Sequence, residues 1–273
     1  MSESAPASTY IHGTDPEEQR RLALLNTMLN RRCLAELAPC IGDRVLDVGS
    51  GLGQFTHAIA EAVGWGGRVV GVERSPQQLA QAEAIVPAVA EFREGDAYAL
   101  PLAENEWGSF DLVHSRFLLE HLRDPLAAVH QMVKAAKPGG RIVLEDDDHQ
   151  LLRVEPEPPG FPALWIAYQR AYDRLGNDPL TGRRLVSLLH QAGARPSRAT
   201  LIPWSNCAGH GDFPELIRNL IEVIRTGREQ VVSGQLLSGT AFDAALDEIA
   251  RWATRPDAVL WYAVSWAEAV VPL

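Results

Sequence analysis

Apolar positions along this chain alternate between two spacings. Short unbroken runs of Val, Ile, Leu and Phe predict strands at 44–48, 68–73, 90–94, 110–114 and 140–145. Between them, apolar residues recurring every three or four places predict helices at 53–63, 76–84 and 124–136. Unbroken runs belong to strands covered on both faces, so this α/β alternation implies a doubly wound, mostly parallel sheet with helices on both sides. An N-terminal helix is expected over 16–37, with Asp15 as cap, Pro16 in the first turn and Leu22, Leu25, Met28 and Leu29 along one face.

Past residue 150 the pattern changes. A Pro-rich extended connector at 155–162 leads to helices near 162–176 and 181–193, then a strand near 199–204. Helices near 213–226 and 240–254 precede a terminal strand at 259–264.

The first strand carries chemistry. Residues 44–53 read RVLDVGSGLG, so Gly49, Gly51 and Gly53 let the chain turn sharply and bring backbone close to a ligand. The next strand returns as a βαβ unit and ends in Glu73, placed to accept from vicinal ribose hydroxyls. The dinucleotide loop is G-x-G-x-x-G, whereas here the third glycine comes one place early and Gln54 stands where Gly is wanted. Asp47 beside a pyrophosphate would be repulsive, but it suits a cofactor carrying a cationic amine. An NAD(P)-dependent oxidoreductase is therefore the weaker alternative.

The loop, with GDAYALP at 95–101, FDLVHSRFLLEHL at 110–122 and KPGGRIVLE at 137–145, resembles the class I S-adenosylmethionine-dependent methyltransferases over roughly residues 43–150. The stretch YIHGTDPEEQRRL at 10–22 is similar to the N-terminal segment of bacterial small-molecule members. The resemblance implies seven strands with an antiparallel C-terminal edge strand in a terminal hairpin, an N-terminal helix and a helical cap over the substrate pocket. It divides the chain into a tail and lid helix (1–37), a cofactor-binding core (38–160) and a part completing the sheet and cap (161–273), with 213–254 as the cap.

For S-adenosylmethionine, the resemblance and the strand ends nominate Gly49, Ser50 and Gly51 at the methionine, Glu73 at the ribose and Arg74 over the adenine edge. Asp96 is expected on the adenine amine with the Ala97 amide, and Ser115 and Arg116 next to the transferred methyl. Asp47 either touches the cofactor or accepts from the loop amides. From the N-terminal segment, Tyr10 and Arg21 are the lid candidates, Arg21 as a fork on the methionine carboxylate. Where the acceptor is protonated a general base is needed, and His12, His114, His121, His149 and His210 are the candidates, with Arg116 beside them.

The run Glu145–His149 mixes carboxylates and imidazole, but adjacent strand residues face opposite ways, so it is not expected to converge on a metal. Catechol-type members use an acid after the fourth strand, where this chain has His114-Ser115-Arg116. The late aromatics Trp204, Trp252, Trp261, Trp266, Phe213 and Phe242 read first as core and second as a lining for a flat acceptor.

Composition narrows the partners. A net charge of −10 over 273 residues, without a basic stripe, opposes nucleic acid. Three isolated cysteines suit a reducing cytoplasm, and no signal peptide or membrane-spanning run is evident. A small-molecule methyl acceptor and a monomer or homodimer are expected. A non-catalytic cofactor-binding protein is the alternative from another class.

Overall fold

Seven strands hydrogen-bond into one sheet in a computed structural model that describes residues 16–84 and 89–273, with side chains from Asn26 onward. In chain order the elements are α1 (Pro16–Leu37), β1 (Arg44–Val48), α2 (Gln54–Val63), β2 (Arg68–Glu73), α3 (Pro76–Glu83), β3 (Ala90–Glu94), β4 (Phe110–Arg116), α4 (Pro125–Ala135) and β5 (Ala136–Asp146). There follow β6 (Arg153–Glu155), α5 (Phe161–Leu175), α6 (Leu185–Gln191), β7 (Arg195–Pro203), β8 (Asn206–Cys207), α7 (Phe213–Thr226), α8 (Arg228–Ser233), α9 (Gly239–Trp252), β9 (Val259–Trp261) and β10 (Ala263–Val270).

The sheet order is β3-β2-β1-β4-β5-β10-β7. β1 pairs in parallel with both β2 and β4, so the chain winds outward one way through β3 and then restarts on the other side at β4. That reversal opens a crevice beyond the C-terminal ends of β1 and β4. β10 runs antiparallel to β5 and β7, and the β10–β7 pair closes that end of the sheet, as the family hairpin implies.

Apolar burial explains the layers. Leu46, Val48, Val113 and Leu144 pack under α4 and α6, while Val45, Val69, Leu112 and Val143 pack under α1 and α2. A third apolar cluster joins α5, α7, α8 and α9 to β6 and β9, through Phe161, Trp165, Tyr168, Phe213, Phe242 and Trp252. Local signals place several starts. Ser75 and Asp124 cap α3 and α4 by accepting from Gln78 and Ala127 amides, each with Pro in the first turn.

One strand assignment needs correction. The apolar stretch expected as a single strand at 259–264 is two strands meeting at Tyr262. β9 joins β6 and β8 in a separate three-stranded sheet, and β10 alone enters the main sheet. The connector at 155–162 is likewise less extended than expected: β6 ends at its first residue and α5 begins at Phe161. The helices expected as a cap at 213–254 share their apolar cluster with α5. Among the described residues, no helix is long and apolar enough to cross a membrane.

Candidate active site

The crevice between β1 and β4 deepens into a cavity of about 290 Å³ that extends under α5 and α7. The glycine loop forms one wall. Gly49 has φ +79° and Gly53 φ +74°, a left-handed backbone that a side chain would strain. A Cβ on Gly53 would also come within 2.7 Å of Ala82 and Phe92, so the third glycine is a packing requirement between α2, α3 and β3. Gly49, Ser50 and Gly51 face the cavity.

Glu73 ends β2 at the cavity rim. Its Oε2 accepts from the Gly51 amide at 3.0 Å and its Oε1 from the Ser75 amide at 2.8 Å, which fixes the carboxylate while leaving lone pairs toward the space. Arg74, Asp96 and Ala97 line the same end. Asp96 also accepts from the Tyr98 amide at 2.9 Å, an Asx turn that holds its side chain.

Beneath the loop lies a buried charged network. Asp47 is 3% exposed and does not take the loop amides: Oδ2 accepts from the Thr56 hydroxyl at 2.5 Å and Oδ1 meets His114 Nδ1 at 2.8 Å. His114 Nε2 lies 3.3 Å from Glu145 Oε1. Burial would deprotonate this imidazole, but hydrogen bonds and charge from Asp47 and Glu145 override it and hold its pKa up to about 9. Burial also raises both carboxyls, and His114 and Arg116 more than reverse that, leaving each below its ordinary value. Cys33, pushed up to about 12 by burial and then by Glu145, stays a thiol against it. A histidine held between two carboxylates with its pKa raised is poorly suited to act as a general base.

Arg116, like Asp47 and His114, lines the cavity. Its guanidinium lies over Phe55, 4.1 Å from the ring centre, and donates to Asn26 and Asn30 of α1 at 2.6 and 2.8 Å. Ser115 does not. It is fully buried on the alternate face of β4 and is absent from the cavity lining, because successive strand residues point opposite ways. Tyr10 and His12 fall outside the described residues, and Arg20 and Arg21 lie on α1 with side chains outside them. His210 is exposed, hydrogen-bonded to Asn206, and away from the cavity.

The far end brings His149, a base candidate, and Asp147 of the acidic run together with Glu120, which the sequence reading passed over. Glu120 follows β4, Asp147 and His149 follow β5, and one donor atom of each lies within 4.8 Å of the others. The expectation that 145–149 cannot converge is corrected here: the strand ends at Asp146, so strand alternation does not govern Asp147 and His149, and Glu120 completes the group from beyond β4. His149 Nε2 is 3.3 Å from Glu120 Oε2, and His121 Nε2 is 3.5 Å from Glu120 Oε1. Burial lowers the His149 pKa below its ordinary value despite Asp147, Asp148 and Asp178. Burial, then Glu120 and Asp147, raise Asp146 well above a normal aspartate. Trp165, Tyr172, Trp204, Asn219 and Tyr262 close this end. Of the late aromatics, Trp204 lines the cavity, while Phe213, Phe242, Trp252 and Trp266 are buried core.

Comparison with known proteins agrees with this arrangement. Residues 46–144 match the model described as a methyltransferase domain. The chain is 32% identical over 127 residues to the demethylmenaquinone methyltransferase of Lactococcus lactis, covering 45% of this chain and 49% of the relative. It is 30% identical over 195 residues to an O-methyltransferase of Penicillium expansum, covering 67% and 64%. It therefore spans about half to two thirds of these relatives' length. A SAM-dependent methyltransferase from Aquifex aeolicus shares the fold, with a TM-score of 0.56 at 15% identity, covering 95% of this chain and 100% of that one. With the motifs in order along β1 to β5 and the glycine loop open to the cavity, the chain belongs to the class I S-adenosylmethionine-dependent methyltransferases.

Proposed function

We propose that this protein transfers a methyl group from S-adenosylmethionine to a small-molecule acceptor enclosed between the sheet and the cap helices. The observation that carries this reading is one continuous cavity with two unlike ends. At one end the glycine loop, Glu73 and Asp96 offer backbone and carboxylates to an adenosine and its attached amino acid. At the other, Glu120, Asp147 and His149 lie among aromatic side chains.

The residues fit the donor. Glu73 is pre-oriented for two ribose hydroxyls, Asp96 and the Ala97 amide stand where an adenine edge would lie, and Gly49 and Gly51 keep the loop open to the cavity. Bound there, S-adenosylmethionine supplies a methyl already activated on a sulfonium. The protein's own work is then to orient the acceptor and exclude water. Where the acceptor carries a proton, His149, whose buried imidazole lines the cavity, would receive it. Residues 38–160 would form the donor-binding core, with 161–273 completing the sheet and capping the acceptor.

Calorimetry tests the donor end. S-adenosylmethionine should bind and NAD should not, and Glu73→Ala should weaken the former by about tenfold or more, the loss of a charged hydrogen-bond acceptor. NAD binding alone would reject the reading. Incubation with acceptor panels, read by mass spectrometry for a one-methyl gain, tests transfer.

A further inference from the structure

Along α7 the positions that line the cavity are Leu216, Asn219, Leu220 and Val223, a stripe at helical spacing that is apolar except for one carboxamide. Asn219 is 3% exposed, and among the described residues its Oδ1 accepts no hydrogen bond. Burying an amide oxygen without a partner is unfavourable, and a Leu there would complete the stripe without that cost. An unpaired acceptor in a cavity wall is accounted for when a ligand brings the donor.

A complementary donor lines the same cavity. Trp204, the residue after β7, donates its backbone N–H to the Tyr262 carbonyl at 2.7 Å, and the two rings lie 5.7 Å apart. Those contacts fix the indole, yet its Nε1–H is buried without an acceptor among the described residues.

The charged groups nearby are already engaged. His149 and His121 place Nε2 atoms 3.3 and 3.5 Å from the two Glu120 oxygens, and the Tyr262 hydroxyl donates to Asp147. An anionic acceptor would meet these carboxylates as like charges, and a cationic one would have to break contacts already made. What Asn219 and Trp204 leave unmet is neutral: one acceptor and one donor. A hydroxyl answers both, since its O–H donates while its lone pairs accept. Leu152, Leu216, Leu220, Val223 and Leu260 supply apolar wall for a hydrocarbon frame.

We propose that the methyl acceptor is a neutral, apolar compound carrying a hydroxyl, which donates to Asn219 Oδ1 and accepts from Trp204 Nε1–H. The inference rests on the methyltransferase reading above and narrows its acceptor class. Asn219 and Trp204 are then the residues that set specificity. A pocket built to hydrogen-bond a hydroxyl rejects the analogue lacking it, because its own buried polar groups are left unpaired.

Three probes on one ring test this with protein saturated in S-adenosylhomocysteine: 4-ethylphenol, 4-ethylanisole and 4-ethylbenzylamine. Calorimetry should give 4-ethylphenol at least about tenfold tighter than 4-ethylanisole, which keeps the oxygen but has no proton for Asn219. Asn219→Leu should erase that preference, and Trp204→Phe should weaken 4-ethylphenol by about tenfold, while retained S-adenosylhomocysteine binding reports that both variants are folded. A second measurement needs no acceptor. Asn219→Leu should raise the melting temperature of the free protein, because it removes an unpaired buried acceptor. A lowered melting temperature would show the carboxamide satisfied within the fold and overturns the proposal. So does equal binding of phenol and anisole, a preference that survives Asn219→Leu, no binding of 4-ethylphenol, or tighter binding of the amine; each leaves the methyltransferase reading standing. Failure of the wild type to bind S-adenosylhomocysteine overturns both readings together.

Discussion

Replacing His114 with Leu isolates the worth of the buried network under the glycine loop. The substitution removes one imidazolium and leaves Asp47 and Glu145 buried at 3% and 0% exposure, each without its nearest cation. Breaking such a pair by deleting one partner costs about 3–5 kcal/mol, because the stranded charge keeps its desolvation penalty. The ionisation of His114 gives the pH dependence. Its pKa in the fold is about 9 against an ordinary 6.5, a difference worth roughly 3 kcal/mol. A raised imidazole stabilises fully below 6.5 and loses that contribution as pH climbs through 9. Asp47 and Glu145 are depressed from 3.8 and 4.5, so their contribution is present above those values and fades as pH falls. The gap between wild type and His114→Leu is therefore widest between about 4.5 and 6.5 and narrows toward pH 10. Urea unfolding of both proteins at pH 6 and near pH 10 measures it. A gap below about 1 kcal/mol at pH 6, or one constant across that range, refutes the network as described.

Other outcomes follow from single contacts. Gly53→Ala should cost about 3 kcal/mol, since its Cβ meets Ala82 and Phe92 in a left-handed backbone, whereas Gly42→Ala, at φ +89° with open space around it, should cost about 1 kcal/mol; equal melting shifts would contradict this. Arg116→Met removes the donors to Asn26 and Asn30, so hydrogen exchange across the second half of α1 should speed by about tenfold, and unchanged exchange would show that α1 is held elsewhere.

The first half of the sheet was legible in the sequence because its signals are local. Three glycines at alternate positions, an acid at the tip of the next strand and unbroken apolar runs each specify one element, and β1, β2 and β3 begin and end where the runs do. The break at Tyr262 was not legible, since no Gly or Pro marks the point where the chain leaves one sheet for another. Glu120 was hidden among the apolar residues of FDLVHSRFLLEHL, and only the tertiary fold brings it to Asp147 and His149. Asn219 sits mid-helix in α7 with nothing in the sequence to separate it from a solvated polar residue. Asp47 was flagged, but its partners lie on α2 and β4, out of reach of any local pattern.

The small sheet has a consequence for how this architecture diversifies. β8 and β9 lie antiparallel, with Asn206 opposite Leu260 and Cys207 opposite Val259, so the two stems of the segment carrying α7, α8 and α9 stand side by side. Whatever is inserted between those stems returns the chain to the same place, from which β10 enters the main sheet. α7, which lines the cavity, and α8 and α9 behind it form an exchangeable cassette on a fixed hinge pin: they can be lengthened, shortened or swapped without shifting the register of the strands that carry the glycine loop and Glu73.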